Sequence, residues 1–123
     1  MMQKNLPFHR RLTFALNGLK TALKGEASFR FQAAAGLGIV VFLAFHGASA
    51  LWWAIMLLVI ALVLSAELFN TALERLSDHL HPERHAAIKL AKDCAAGAVL
   101  VLSLASVGVF IAFLISSHGV KNG

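Results

Sequence analysis

The amino-acid sequence predicts an all-α integral membrane protein, with an N-terminal amphipathic surface helix followed by three transmembrane helices. Three observations carry that expectation. The 123 residues are 59% hydrophobic and only 14% charged, with a mean hydropathy of +0.74, whereas a soluble domain carries roughly 25% charge. Long apolar runs recur, and none of the side chains from Leu51 to Leu64 is charged. The basic residues behind the net charge of +5 sit at the ends of these runs. There they set membrane topology and do not form a patch suited to nucleic acid, so no nucleic-acid partner is expected. The length allows one small domain, residues 1–123. Cys94 is the only cysteine, so an internal disulfide is excluded.

Residues 8–24, "FHRRLTFALNGLKTALK", place Phe8, Leu12, Leu16, Leu19 and Leu23 at helical spacing, with Arg10, Arg11, Lys20 and Lys24 as the basic component. That pattern predicts an amphipathic helix on an anionic membrane face. The apolar residues are interrupted, unlike the continuous core of a signal peptide. The first span, 29–46, is apolar apart from Arg30 and Gln32 near its start. "HGAS", 46–49, reads as a turn. The second span, 50–74, opens with Trp52 and Trp53 at the position of an interfacial aromatic belt. A polar insertion, "ERLSDHLHPERHAAIKLAKD", precedes the third span, 94–116. With their polar ends included, the segments reach the roughly 20 residues needed to cross a bilayer.

Lysine and arginine set the orientation. Six lie before residue 31, and Arg75, Arg84, Lys89 and Lys92 lie in the second connection. "HGAS" has none, and the C-terminal tail has only Lys121. Under the positive-inside rule the N-terminus and the second connection face the cytoplasm, and the C-terminus faces the other side.

The six acids, Glu26, Glu67, Glu74, Asp78, Glu83 and Asp93, all fall at or near the cytoplasmic boundary in this topology. Glu67, Asn70, Glu74 and Asp78 are spaced 3, 4 and 4 apart, one face of a helix that continues out of the membrane. Glu26 begins the first span and Asp93 the third. For Glu74, Asp78 and Glu83, an ordinary solvated helix end is an equally good account. Glu67 sits about a turn inside the apolar segment, where an unpaired carboxylate costs a few kcal/mol.

Carboxylates with lysine and arginine nearby at a membrane face suit Mg²⁺ plus phosphate, because magnesium takes few carboxylates and completes its shell with phosphate oxygens and water. Phosphoryl transfer needs a base for the attacking hydroxyl and cations for the phosphate charge. No GxxxxGK[ST] loop is present, and "GLG" at 36–38 lacks the third glycine of a dinucleotide fingerprint. On chemistry alone, a membrane phosphotransferase, a small transporter and an ion-coupled site all remain open.

"ELFNTALERLSD", 67–78, resembles the signature of the small bacterial membrane diacylglycerol kinases: Glu, two residues, Asn, Ser/Thr, two residues, Glu, three residues, Asp. "EASFR" at 26–30 and "AKDCAAGAVL" at 91–100 resemble the two flanking blocks. The likeness runs from about residue 8 to the end of the last helix. It implies a homotrimeric kinase of the bacterial inner membrane that uses ATP and Mg²⁺ to phosphorylate a lipid alcohol at the cytoplasmic face. Glu67 matches the family's catalytic base and Asn70 its neighbour in the motif. Glu26 and Glu74 match the carboxylates that hold the metal with ATP. Glu83, His85, Lys92 and Asp93 match positions of the nucleotide site. Ser28, Phe29, Arg30, Gln32, Glu67 and Ala96 match positions expected to contact the lipid.

Diacylglycerol is the expected acceptor, with phosphatidate as product. Gln32 stands where the Gram-negative diacylglycerol kinases usually have a glutamate. "FALNGLKTALK" and the "HP" at 81–82 look more like the undecaprenol kinases of the same family. Undecaprenol is therefore the alternative acceptor. His79, His81 and His85 read as loop residues before they read as a metal cluster, and Cys94 as a packing residue before a nucleophile. Ala95, Ala96, Gly97 and Ala98 suit close helix packing, a trimer interface or a lipid pocket. The rival outside enzymology is a membrane scaffold or transporter subunit whose carboxylates bind ions.

Overall fold

The computed structural model describes residues 5–122 and contains four helices: α1 (Phe8–Gly25), α2 (Ala27–His46), α3 (Ala50–Leu80) and α4 (Ala86–Asn122). Lys4 and the side chain of Lys121, both counted in the charge asymmetry, lie outside the described residues. Helices α2, α3 and α4 are each long and apolar enough to cross a membrane.

The helices overrun the predicted spans. α3 continues without a break from the apolar run through Asp78 to Leu80, and α4 begins at Ala86, eight residues before Cys94. At 1.5 Å per residue, the 31 residues of α3 extend about 46 Å, well beyond a hydrocarbon core of about 30 Å. The polar insertion is therefore mostly helical, and only residues 81–85 form the connection.

Each connection has a local cause. Glu26 alone separates α1 from α2, with an extended backbone (φ −122°, ψ 109°). Its N–H closes α1 on Ala22 O at 2.9 Å, and its carbonyl accepts from Arg30 N at 3.1 Å to open α2. Gly47 ends α2 in the left-handed region (φ 68°), and Ala48 N donates to Leu43 O at 3.2 Å, the long bond of a Schellman cap. Ser49 then caps α3, its hydroxyl accepting from Trp52 N. His85 starts α4, with Nδ1 accepting from Ala87 N at 3.1 Å and its carbonyl from Lys89 N at 2.9 Å.

α3 is the central element and packs most extensively on α4, then on α2; α1 rests on α2 and α3. The small core lies at the "HGAS" end, where Leu43, Met56 and Phe113 are buried against Ile39, Trp52, Trp53 and Phe110. His46 stacks on Phe42, meets Phe113 edge-on and hydrogen-bonds Ser117, tying the ends of α2 and α4 together. Midway along, Gly36 lets α2 approach α3 so closely that a Cβ would lie 2.9 Å from Ile60 Cγ2.

Much apolar surface remains uncovered: Phe31, Phe45, Leu51, Phe69, Leu100, Val101, Leu104 and Ile115 are all exposed. A continuous outer surface of this kind calls for lipid or further chains against it. The α1 residues Phe8, Leu12, Leu16, Leu19 and Leu23 are exposed too.

Candidate functional site

The apolar core occupies one end of the bundle, and the acids gather at the other. Glu67 is the one buried carboxylate among the described residues, with 3% of its surface exposed. A hydroxyl in the first turn of α2 meets it: Ser28 Oγ donates to Glu67 Oε1 at 2.6 Å. A buried carboxylate without a donor would cost several kcal/mol, on the order of the penalty for an unpaired polar group, and Ser28 offsets part of that cost. The bond also fixes the rotamer of Glu67 and leaves Oε2 without a side-chain donor among the described residues.

One turn along α3, Asn70 Nδ2 donates to Glu74 Oε1 at 3.5 Å, a long contact, while Asn70 Oδ1 is buried with no partner. Burial falls along this face: Glu67 is buried, Asn70 and Glu74 are half-buried, and Asp78 is exposed. The face predicted from the spacing therefore runs from the helix interface out to solvent.

Glu26 reaches α3 from the elbow. Arg75 Nη2 and Nε both donate to Glu26 Oε1, at 3.0 and 3.3 Å. In the sequence Arg75 stands out only as a topology charge, and its place directly after Glu74 is the one signal that ties it to the acids. The guanidinium lies over Gly25, where a Cβ would sit 2.7 Å from Nη2. Arg30, expected near the lipid, donates from Nη1 to Leu23 O and Lys24 O at 3.0 and 2.9 Å. It satisfies carbonyls that the end of α1 leaves open. Phe29 beside it is buried at 3% exposure. Gln32 Nε2 donates to Ser103 Oγ at 3.0 Å and joins α2 to α4, while Ala96 is exposed on α4.

The expected nucleotide residues fall into two sets. Glu83, His85 and Lys92 line a cleft of about 450 Å³ around residues 81–85, together with Asp78, Arg84 and Lys89. Lys92 is paired with Asp78, and Lys89 Nζ with Asp93 Oδ2 at 2.7 Å. Glu26 and Glu74 do not line that cleft. His81 and His85 meet edge-on at 5.4 Å, yet no group of three or more His, Cys, Asp or Glu side chains among the described residues is arranged to hold a metal ion.

In donor chemistry, Glu26, Glu74 and Asn70 nevertheless suit magnesium. Two carboxylates and the orphaned amide oxygen of Asn70 are all hard oxygen ligands, and a site with few carboxylates is the usual magnesium arrangement. The Arg75–Glu26 pair is no obstacle, because an ion pair this exposed contributes only about 0–1 kcal/mol.

Over residues 13–114 the chain matches the family described as prokaryotic diacylglycerol kinase. It is 34% identical over 99 residues to a protein named undecaprenol kinase from Bacillus subtilis, covering 80% of each chain. It is 35% identical over 95 residues to a diacylglycerol kinase of Synechocystis, covering 76% of this chain and 54% of that one. A diacylglycerol kinase of Sinorhizobium is 31% identical over 110 residues, covering 89% of this chain and 79% of the relative.

Proposed function

The chain belongs to the prokaryotic diacylglycerol kinase family, and from that premise we propose that it transfers the γ-phosphoryl group of ATP to the hydroxyl of a membrane lipid, with diacylglycerol as acceptor. The observation that carries this reading is the buried Glu67 held by Ser28 between two membrane-length helices. A lipid hydroxyl arriving from the bilayer needs a proton acceptor at that depth. Glu67 takes the hydroxyl proton while the hydroxyl oxygen attacks the γ-phosphorus; the bond to the bridging oxygen breaks and ADP leaves. With Oε1 engaged by Ser28, Oε2 is the acceptor atom.

Glu26 and Glu74 would hold Mg²⁺ with ATP, with the Asn70 amide oxygen nearby, and the ion supplies neutralising charge to the phosphate oxygens. Glu83, His85 and Lys92, in the loop cleft, and Asp93 are assigned to the nucleotide. In this reading α1 lies on the cytoplasmic face of the bacterial inner membrane, its exposed leucines in lipid. The functional unit is a homotrimer. A Cβ on Gly97 would meet nothing within 4 Å, which leaves that face of α4 free for close approach by another copy.

Undecaprenol is the second reading for the acceptor, favoured by the 34% identity to the Bacillus subtilis protein of that name. One experiment tests both. Purified protein in mixed micelles receives ATP, Mg²⁺ and equal amounts of diacylglycerol and undecaprenol. Phosphatidate as the main product supports the proposal, and undecaprenyl phosphate supports the second reading. No phosphorylated lipid from either defeats the kinase assignment.

A further inference from the structure

We infer that Arg75 is a phosphate ligand held in reserve on Glu26, an inference that rests on the kinase reading above. The guanidinium makes a one-sided contact: Nε and Nη2 both reach Glu26 Oε1, so the two-oxygen fork of a full arginine–carboxylate pair is not formed. Half of the Arg75 side chain stays exposed. It also borders a groove of about 570 Å³ between α1 and α3, walled by Gly18, Ala22 and Thr71, which gives the guanidinium room to move.

The reserve role follows from what Glu26 must do. A carboxylate that binds Mg²⁺ cannot keep its guanidinium partner on the same oxygen. A divalent cation bound by Glu26 would release Arg75 beside it. In the kinase reading its nearest acidic neighbour in sequence, Glu74, would be committed to the same cation. Phosphate oxygens brought in with that cation would then be the anions offered to Arg75, and a planar guanidinium suits them. Lys92 and Lys89, in the first turns of α4, are likewise held by acids, Asp78 and Asp93. Before nucleotide arrives, Arg75 neutralises Glu26; afterwards it neutralises phosphate.

The two roles predict opposite shifts in two binding measurements on the full chain in detergent. The variants are Arg75→Ala, Arg75→Gln and Arg75→Lys. Magnesium–AMP-PNP affinity is read by calorimetry, and Mn²⁺ affinity without nucleotide by electron paramagnetic resonance. Loss of the guanidinium is expected to weaken AMP-PNP binding about tenfold or more, with Lys restoring part. The same loss is expected to tighten Mn²⁺ binding, because the competitor for Glu26 is gone. A purely structural pair would instead weaken both, since Glu26 would lose its position. Unchanged AMP-PNP affinity, or weaker Mn²⁺ binding, in the Ala and Gln variants overturns the inference. If only Gln folds, Gln decides. Wild-type protein that phosphorylates lipid beside an Arg75→Ala variant with unaltered affinities sinks the inference alone; wild-type protein that binds no AMP-PNP removes the kinase reading and the inference together.

Discussion

Ser28 Oγ, in the first turn of α2, donates a 2.6 Å hydrogen bond to Oε1 of the buried Glu67 on α3. The two residues are 39 apart in sequence, and the bond makes the start of one helix the support for the acid of another. Glu67→Gln is expected to abolish lipid phosphorylation, by about 10²- to 10⁴-fold, because glutamine keeps the shape but cannot take a proton. The protein stays folded and still binds ATP. Ser28→Ala is expected to lower turnover less, by up to about tenfold for one lost hydrogen bond, with KM for ATP unchanged. Near-normal phosphorylation by Glu67→Gln would leave the carboxylate a structural role only.

Glu26→Gln and Glu74→Gln each remove a charge proposed to hold the metal. Both variants are expected to need more Mg²⁺ and more ATP for half-maximal rate. Magnesium titrations that superimpose on wild type in both variants would take the two residues out of the metal site.

Gly36 marks the close approach of α2 to α3. Gly36→Ala puts a methyl 2.9 Å from Ile60 Cγ2, an atom on a branched side chain that has little freedom to turn aside. Overpacking of this kind costs about 1–3 kcal/mol. Thermal unfolding in detergent is expected to shift down accordingly, and Ile60→Ala in the same background to recover part of the loss. A Gly36→Ala protein as stable as wild type would mean that the helices part without cost.

The lysine and arginine distribution predicts that the N-terminus and the 81–85 connection face the cytoplasm. A reporter fused at Lys121 is expected on the opposite side. Cytoplasmic activity of that fusion would reverse the orientation or remove a span.

Much of the fold is legible along the chain. The spacing of the leucines in 8–24, the uncharged run from Leu51 and the apolar stretch after Cys94 each describe a single helix, and periodicity speaks directly about single helices. The turn at "HGAS" is legible for the same reason, since Gly47 and Ser49 act on their own neighbours. So is the face carrying Glu67, Asn70, Glu74 and Asp78. The span ends were less legible: hydropathy falls where charges begin, but the backbone of α3 and α4 continues as helix because nothing between Arg75 and Leu80, or between Ala86 and Asp93, breaks it. Proline and the capping histidine confine the connection to residues 81–85.

The sequence by itself determined which helices exist, where the acids lie along them and which end of the bundle is charged. Only the tertiary structure decided which side chains meet across the helices. Ser28 on Glu67, Gln32 on Ser103, Arg75 on Glu26 and Arg30 on the last carbonyls of α1 depend on how each helix is rotated about its axis and on the one-residue elbow at Glu26. A helical pattern names the residues on a face, but it leaves that rotation free. The rotation is fixed when close contacts such as Gly36 against Ile60 set how two helices pack.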